Sequence, residues 1–107
     1  MYIGEGITEL GNYVFSGNPE LITVAFPSSL KNAGIGTFYY SDGYDEYTCP
    51  KLTYVTFGEN SQLEVIPAGM FAYTNISGIL ITATVKYIGS GTDYEEDPGA
   101  FEGCKNL

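Results

Sequence analysis

Ala100-Phe101-Glu102-Gly103-Cys104-Lys105-Asn106-Leu107 closes the chain with the phrase AFxxCxxL, and degraded copies of it recur around Phe15, Phe38 and Phe71. A recurring phrase of this kind points to a repeat architecture, which sets the fold before any single motif does. An apolar pair spaced i, i+3 precedes each Phe: Ile7 and Leu10, Leu30 and Ala33, Leu63 and Ile66, Val85 and Ile88. The second member lies five residues before the Phe in the first three copies and 13 before it in the fourth, which therefore carries eight extra residues. Downstream, an aliphatic residue follows the Phe by six at Leu21 and Leu107 and by five at Ile76. After Phe38 the gap to Leu52 is 14, again eight extra. With both insertions set aside, the period is about 23 residues.

An alternating stretch follows each of Leu21, Leu52 and Ile76: Ile22-Thr23-Val24-Ala25-Phe26, Thr53-Tyr54-Val55-Thr56-Phe57 and Ile79-Leu80-Ile81-Thr82-Ala83. Alternation of β-branched and aromatic residues is the period-2 mark of a half-buried strand. It predicts Val24, Phe26, Val55, Phe57, Ile79 and Ile81 facing inward, with Thr23, Ala25, Tyr54, Thr56, Leu80 and Thr82 facing out. Turn residues follow at Pro27-Ser28-Ser29 and Gly58-Glu59-Asn60-Ser61. A second straight run then passes through the i, i+3 pair, and a single helical or 3-10 turn is expected before the Phe. One such unit cannot bury its apolar edge alone, whereas stacked units can. Like residues then fall above one another, so Phe15, Phe38, Phe71 and Phe101 are expected as a buried ladder.

Laid out in this way, the chain resembles the BspA-type (Treponema pallidum-type) leucine-rich repeats, whose unit reads roughly LxxLxLPxSLxxIGxxAFxxC. The stretch Leu21-Ile22-Thr23-Val24-Ala25-Phe26-Pro27-Ser28-Ser29-Leu30-Lys31-Asn32-Ala33-Gly34, continued by Thr37-Phe38, carries most of the likeness. Tyr87-Ile88-Gly89 and Ala100-Phe101-Glu102-Gly103-Cys104 add to it. The period also falls within the leucine-rich window of about 20–29 residues. Departures are Pro27 as the only turn proline of its kind, Ala33 where Ile is usual, and the two inserts. The resemblance implies a β-rich right-handed solenoid with short parallel strands and short helical or 3-10 turns. Its coils run roughly over 1–21, 22–52, 53–76 and 77–107 of a single domain. It further implies a cell-surface or secreted setting, adhesion to host or cell-surface proteins or glycans, and no catalytic residues or cofactor. A spacer that presents other domains is the alternative. The chain opens partway through a unit, shows no capping repeat and has no signal-peptide pattern in Met1-Tyr2-Ile3-Gly4-Glu5-Gly6, so we read it as a piece of a longer array.

Composition narrows the function classes. Four basic residues, all Lys, stand against 13 acidic ones for a net charge of −9. Phosphate neutralisation by Lys and Arg is the basis of nucleic-acid binding, so nucleic acid is not expected as a partner. The apolar runs are too short for membrane insertion. No histidine is present, which removes Ser-His-Asp and Cys-His machinery and imidazole metal ligation.

The inserts are where the repeat departs from itself, and per-repeat insertions map to loops on one face, often a binding face. They lie within residues 39–48 and 89–99 and contain Asp42, Asp45, Glu46, Asp93, Glu95, Glu96 and Asp97 of the 13 acids. Solvated, mobile loops are the plain expectation, and an acidic, Tyr-rich contact surface the functional one, since Tyr offers contact area at low entropic cost. Asp42-Gly43-Tyr44-Asp45-Glu46 lacks the alternating ligands and closing Glu of a Ca²⁺ loop. A glycosidase-like carboxylate pair would need two acids held at a fixed separation. Ligand-contact candidates are Tyr44, Asp45, Tyr47, Tyr94 and Glu95 from the inserts, with Tyr54, Thr56, Leu80 and Thr82 from the exposed strand face. Cys49 and Cys104 share a slot with Asn18 and Thr74. Two units at about 4.8 Å per strand separate the cysteines by roughly 10 Å, beyond disulfide reach, so free buried thiols are expected.

Overall fold

The computed structural model describes residues 1–82, 84–89 and 98–107. Two strands, β1 (Thr23–Phe26) and β4 (Tyr54–Phe57), pair in parallel with Thr23 opposite Tyr54 and Phe26 opposite Phe57. A single parallel bridge between Tyr2 and Ala25 adds the N-terminal segment to the same row. The alternation is realised here: Val24 and Phe26 are 2% and 3% exposed, while Thr23, Tyr54 and Thr56 face solvent. The third alternating stretch differs, because residues 79–82 form no strand and Ala83 lies outside the described residues. Ile79 is half-buried and Ile81 is exposed, against expectation. Among the described residues β4 pairs with β1 alone, so the stretch is not locked into the sheet and its alternation is not enforced.

The second straight run pairs in two separate places. A parallel bridge joins Glu9 to Asn32, and β5 (Val65–Ile66) pairs in parallel with β6 (Tyr87–Ile88). The i, i+3 pairs are buried in the middle of the stack, at Leu30, Leu63 and Ile66, but Ile7 and Ile88 at its flanks are exposed. These flanking residues correct the expectation of uniform burial, and the reason is cover from one side alone.

The Phe ladder forms as a stack, buried at its centre as expected but not at its two ends. Ring centroids of Phe15–Phe38, Phe38–Phe71 and Phe71–Phe101 are 5.8, 5.7 and 5.5 Å apart, with planes within 25° of parallel. Phe38 and Phe71 are fully buried, and Phe15 and Phe101 are half-buried. The backbone follows the rings: the Phe15, Phe38 and Phe71 N–H groups donate to the carbonyls of Thr37, Met70 and Ala100 at 2.9, 3.2 and 2.8 Å.

That ladder explains why the anticipated helical or 3-10 turns are absent among the described residues. A helix needs each N–H for its own preceding turn, and here the Phe N–H is directed to the next unit. Left-handed residues also flank the Phe, two positions before it at Tyr13, Gly36 and Gly69 and two after it at Gly17, Tyr73 and Gly103. They leave isolated turns such as Tyr39 N–H to Gly36 O at 2.9 Å and Ala72 N–H to Gly69 O at 3.2 Å.

The residues between Phe38 and Leu52 form a short antiparallel hairpin, β2 (Tyr40–Ser41) and β3 (Glu46–Tyr47), in place of a mobile loop. A smaller irregularity lies elsewhere. Phe26 and Phe57 are partners, yet Leu30 follows the first by four residues and Leu63 follows the second by six. The turn at residues 58–62 is thus two residues longer than its counterpart at 27–29. Among the described residues no helix is long and apolar enough to cross a membrane.

Truncating a buried aromatic removes transfer free energy and leaves a cavity, at about 3–5 kcal/mol. Phe38→Ala is expected to fall in that range by urea unfolding, with Phe101→Ala, covered on one side, costing about half as much or less.

Candidate functional site

The hairpin is held at its tip by its own carboxylate. Asp42 Oδ1 accepts the N–H groups of Tyr44 and Asp45 at 2.9 and 2.7 Å, and Gly43 turns the chain with φ +89°. Those donors hold the Asp42 carboxyl below its usual pKa. This Asx-type closure lets Asp serve as a turn former, and it places Tyr44, 94% exposed, at the outermost point beside Asp45. Asp42 and Gly43 between two Tyr-bearing segments are the sequence mark of a hairpin.

Behind the tip the side chains are interlocked. Tyr47 stacks on Tyr40 at 5.7 Å, and Tyr40 meets Tyr13 edge-on at 4.8 Å. Tyr39 packs against Tyr73 at 5.2 Å. Glu46 accepts a long bond from the Tyr39 hydroxyl at 3.4 Å, and Glu102 accepts one from the Tyr73 hydroxyl at 2.8 Å. Bulky residues with positive φ are genuine outliers and cluster where structure is specialised. Tyr13 (φ +59°) and Tyr73 (φ +57°) are two of them. Each covers a glycine of the next unit: a Cβ on Gly36 would strike the Tyr13 ring, and one on Gly103 would strike the Tyr73 ring. Sequence reading missed Tyr13, Tyr39, Tyr40 and Tyr73 as members of this cluster. The available signal was Tyr13 in a slot that the other units fill with Gly36, Gly69 and Gly99, and Tyr73 in one that the first and fourth units fill with Gly17 and Gly103.

The strand-face candidates gather in a different place. Tyr54 and Thr56 project from β4, and a shallow hollow of about 370 Å³ joins them to Tyr2, Thr23 and Ala25. A second hollow of about 160 Å³ joins Thr56 to Leu80 and Thr82. Leu80 is 84% exposed, while Thr82 is half-buried with its hydroxyl 3.0 Å from that of Thr84. Tyr94 and Glu95, with the rest of residues 90–97, lie outside the described residues. The structure therefore brings Tyr54, Thr56, Leu80 and Thr82 onto one row and Tyr44, Asp45 and Tyr47 onto one hairpin.

The cysteines are free, Cys49 buried and Cys104 only half-buried, which corrects the expectation for the second. Both take part in the ladder's polar edge. Cys49 Sγ donates to the Phe15 carbonyl at 3.2 Å, which also accepts Asn18 Nδ2; Cys104 Sγ donates to the Phe71 carbonyl at 3.0 Å, which also accepts Thr74 Oγ1. Burial pushes the Cys49 thiol up, which favours the neutral donor. Among the described residues no group of three His, Cys, Asp or Glu side chains converges as metal ligands.

The model of the BspA type Leucine rich repeat region matches residues 1–107, in six copies. No curated protein matches the chain. The crystal structure of a leucine rich cell surface protein from Faecalibacterium prausnitzii A2-165 is similar to it, with a TM-score of 0.78 and 23% identity. That match covers all of this chain and 24% of the solved one, so the chain spans about a quarter of that protein's length.

The Tyr73–Glu102 pair gives this cluster a measurable titration. The hydrogen bond to Glu102, then burial and nearby negative charge, push the Tyr73 phenol up to about 12. A pKa raised on folding contributes stability that is complete below the unfolded value of about 10 and is lost as pH rises through the folded value. Burial and the Glu46 charge raise the Tyr39 phenol as well, so absorbance titration of the phenolate band is expected to show late ionisation at both, and Glu102→Gln is expected to bring the Tyr73 pKa down towards 10.

Proposed function

The chain belongs to the BspA-type leucine-rich repeat family, and from that premise we propose that it is a non-catalytic binding module of a cell-surface or secreted protein. The observation that carries the reading is the strand row. Tyr2, Tyr54 and Leu80 are 75%, 63% and 84% exposed, and two adjoining hollows link them through Thr56. Contiguous exposed apolar side chains on a soluble surface mark interaction sites. Tyr44 and Tyr47 on the hairpin extend the contact surface, their positions set by the Asp42 turn and the Tyr40 stack. Tyr94 and Glu95 are further candidates from the second insert.

The ligand class is a host or cell-surface protein or a glycan. The chain carries no histidine, Asp42 serves a turn, and Glu46 and Glu102 accept from phenols, so recognition is proposed in place of catalysis. In this reading the units form a right-handed solenoid of four Phe-anchored coils, roughly 1–21, 22–52, 53–76 and 77–107, within a single domain of a longer array. The cell-surface description of the larger solved protein supports that setting.

Protein and glycan arrays probed with the chain test the proposal directly. The double variant Tyr54→Ser, Leu80→Ser alters exposed side chains only, so stability should change by about 0.5 kcal/mol or less. Its binding to whatever the parent captures is expected to fall at least about ten-fold, a loss of about 1.4 kcal/mol. Undiminished capture would remove the strand row from the account, and a parent that captures nothing would favour a spacer.

A further inference from the structure

One sizeable concavity belongs neither to the strand row nor to the hairpin. It is a cleft of about 640 Å³ between the second and third units, lined by Lys31, Asn32, Asn60, Gln62, Glu64 and Thr84, with Ser61 behind. Its origin is the turn that is two residues too long. Gln62 N–H still bonds Ser28 O at 3.2 Å, and Gly36 N–H bonds Ala68 O at 2.8 Å, but no hydrogen bond joins residues 31–33 to residues 64–66 between those points. The same run is bonded in the neighbouring junctions, Lys31 N–H to Thr8 O at 2.8 Å and Lys86 N–H to Glu64 O at 2.7 Å. Among the described residues the second run is therefore open at this junction only, and the cleft lies in that opening.

A turn and two hydrogen bonds shape the back of the cleft. Asn60 turns the chain with φ +56°, a conformation Asn tolerates better than most residues. Ser61 is 3% exposed, and Thr84 Oγ1 donates to the Ser61 and Leu63 carbonyls at 3.0 and 2.9 Å. Pockets of roughly 300–1,000 Å³ suit small molecules. This one presents three primary amides, two hydroxyls, one carboxylate and one ammonium, and no aromatic ring.

Charge selects among small polar ligands. Lys51 pairs with Glu20 at 2.9 Å, and Lys86 pairs with Glu64 at 3.4 Å. Glu64 is thus already engaged. Lys31 has no ion pair among the described residues, although the chain carries a net charge of −9. An uncompensated ammonium beside side-chain amides suits a ligand that combines a carboxylate with several hydroxyls. We infer that the cleft between Lys31-Asn32 and Asn60–Glu64 binds an acidic sugar, a uronate unit of a polysaccharide, with Lys31 on its carboxylate and Asn32, Asn60 and Gln62 on its hydroxyls.

The test is an NMR titration of the full chain with trigalacturonate, beside the same trisaccharide with its carboxylates methyl-esterified. Trigalacturonate is expected to shift the amide signals of Asn32, Gln62 and Thr84 with a Kd on the order of 1 mM. Lys31→Met keeps the exposed stem and removes the charge, and it should weaken binding about ten-fold, as should the ester. Tyr54→Ser with Leu80→Ser should leave this binding unchanged, which separates it from the strand-row reading. No shift at about 20 mM sugar, equal affinity for the ester, or unaltered affinity in Lys31→Met would each overturn the assignment.

Discussion

The structure depends on the contact between one buried Phe and the Phe of the next unit, reinforced by the hydrogen bond from its own N–H to that unit's backbone. Stacked rings at 5.5–5.8 Å are worth about 0.5–1.5 kcal/mol per pair beyond their burial. The larger constraint is directional. Because the Phe N–H points along the stack, the backbone beside it cannot close a helix and must turn sharply. That is why left-handed residues flank it, and why Gly36 and Gly103 lie against the tyrosines of the preceding unit. The carbonyl of the same Phe then accepts side-chain donors, Asn18 and Cys49 on Phe15, Thr74 and Cys104 on Phe71. The cysteine of AFxxC is a hydrogen-bond donor between units, which is a structural use of a neutral thiol.

Given a ladder carried by one residue per unit, insertions elsewhere are tolerated as long as they leave and re-enter at the same rung. Loop closure costs only about 0.6 kcal/mol for each doubling in length. The segment after Phe38 meets that condition and closes on itself as a hairpin, its rings packed back on Tyr13. The longer turn at residues 58–62 meets it differently, by parting the second run while Phe26 and Phe57 stay stacked at 5.4 Å. Both departures leave the Phe ladder continuous and place new surface beside it.

Most of the scaffold was legible because its determinants are local and recur. The Phe anchors, the alternation in β1 and β4 and the buried Leu30 and Leu63 are read from residue type and spacing alone. Ile81 was misread because its stretch is not locked into the sheet, and Ile7 and Ile88 because burial depends on whether a second unit covers them, which periodicity does not encode. The hairpin was read as a loop although Asp42 and Gly43 carry the turn chemistry. The tyrosine cluster was hidden for a further reason: Tyr13, Tyr39, Tyr40 and Tyr73 meet across three units, and ring contacts of that range follow from the stack's geometry. The two extra residues before Leu63 were present in the spacing of Phe38 and Phe71, which is 33 residues, ten more than Phe15 to Phe38. Eight of those ten were assigned to the insert, and the remaining two open the cleft.

A scaffold organised in this way should be stiffest along its Phe ladder and softest where the described backbone makes no cross-unit bonds. Amide hydrogen exchange resolved by residue measures this directly. The N–H groups of Phe38 and Phe71 are expected to exchange only with global unfolding, while those of Ser77 and Gly78, exposed and without cross-unit bonds, exchange fastest. Exchange of Phe38 and Phe71 at the rate of Ser77 and Gly78 would contradict the ladder as the element that holds the units together.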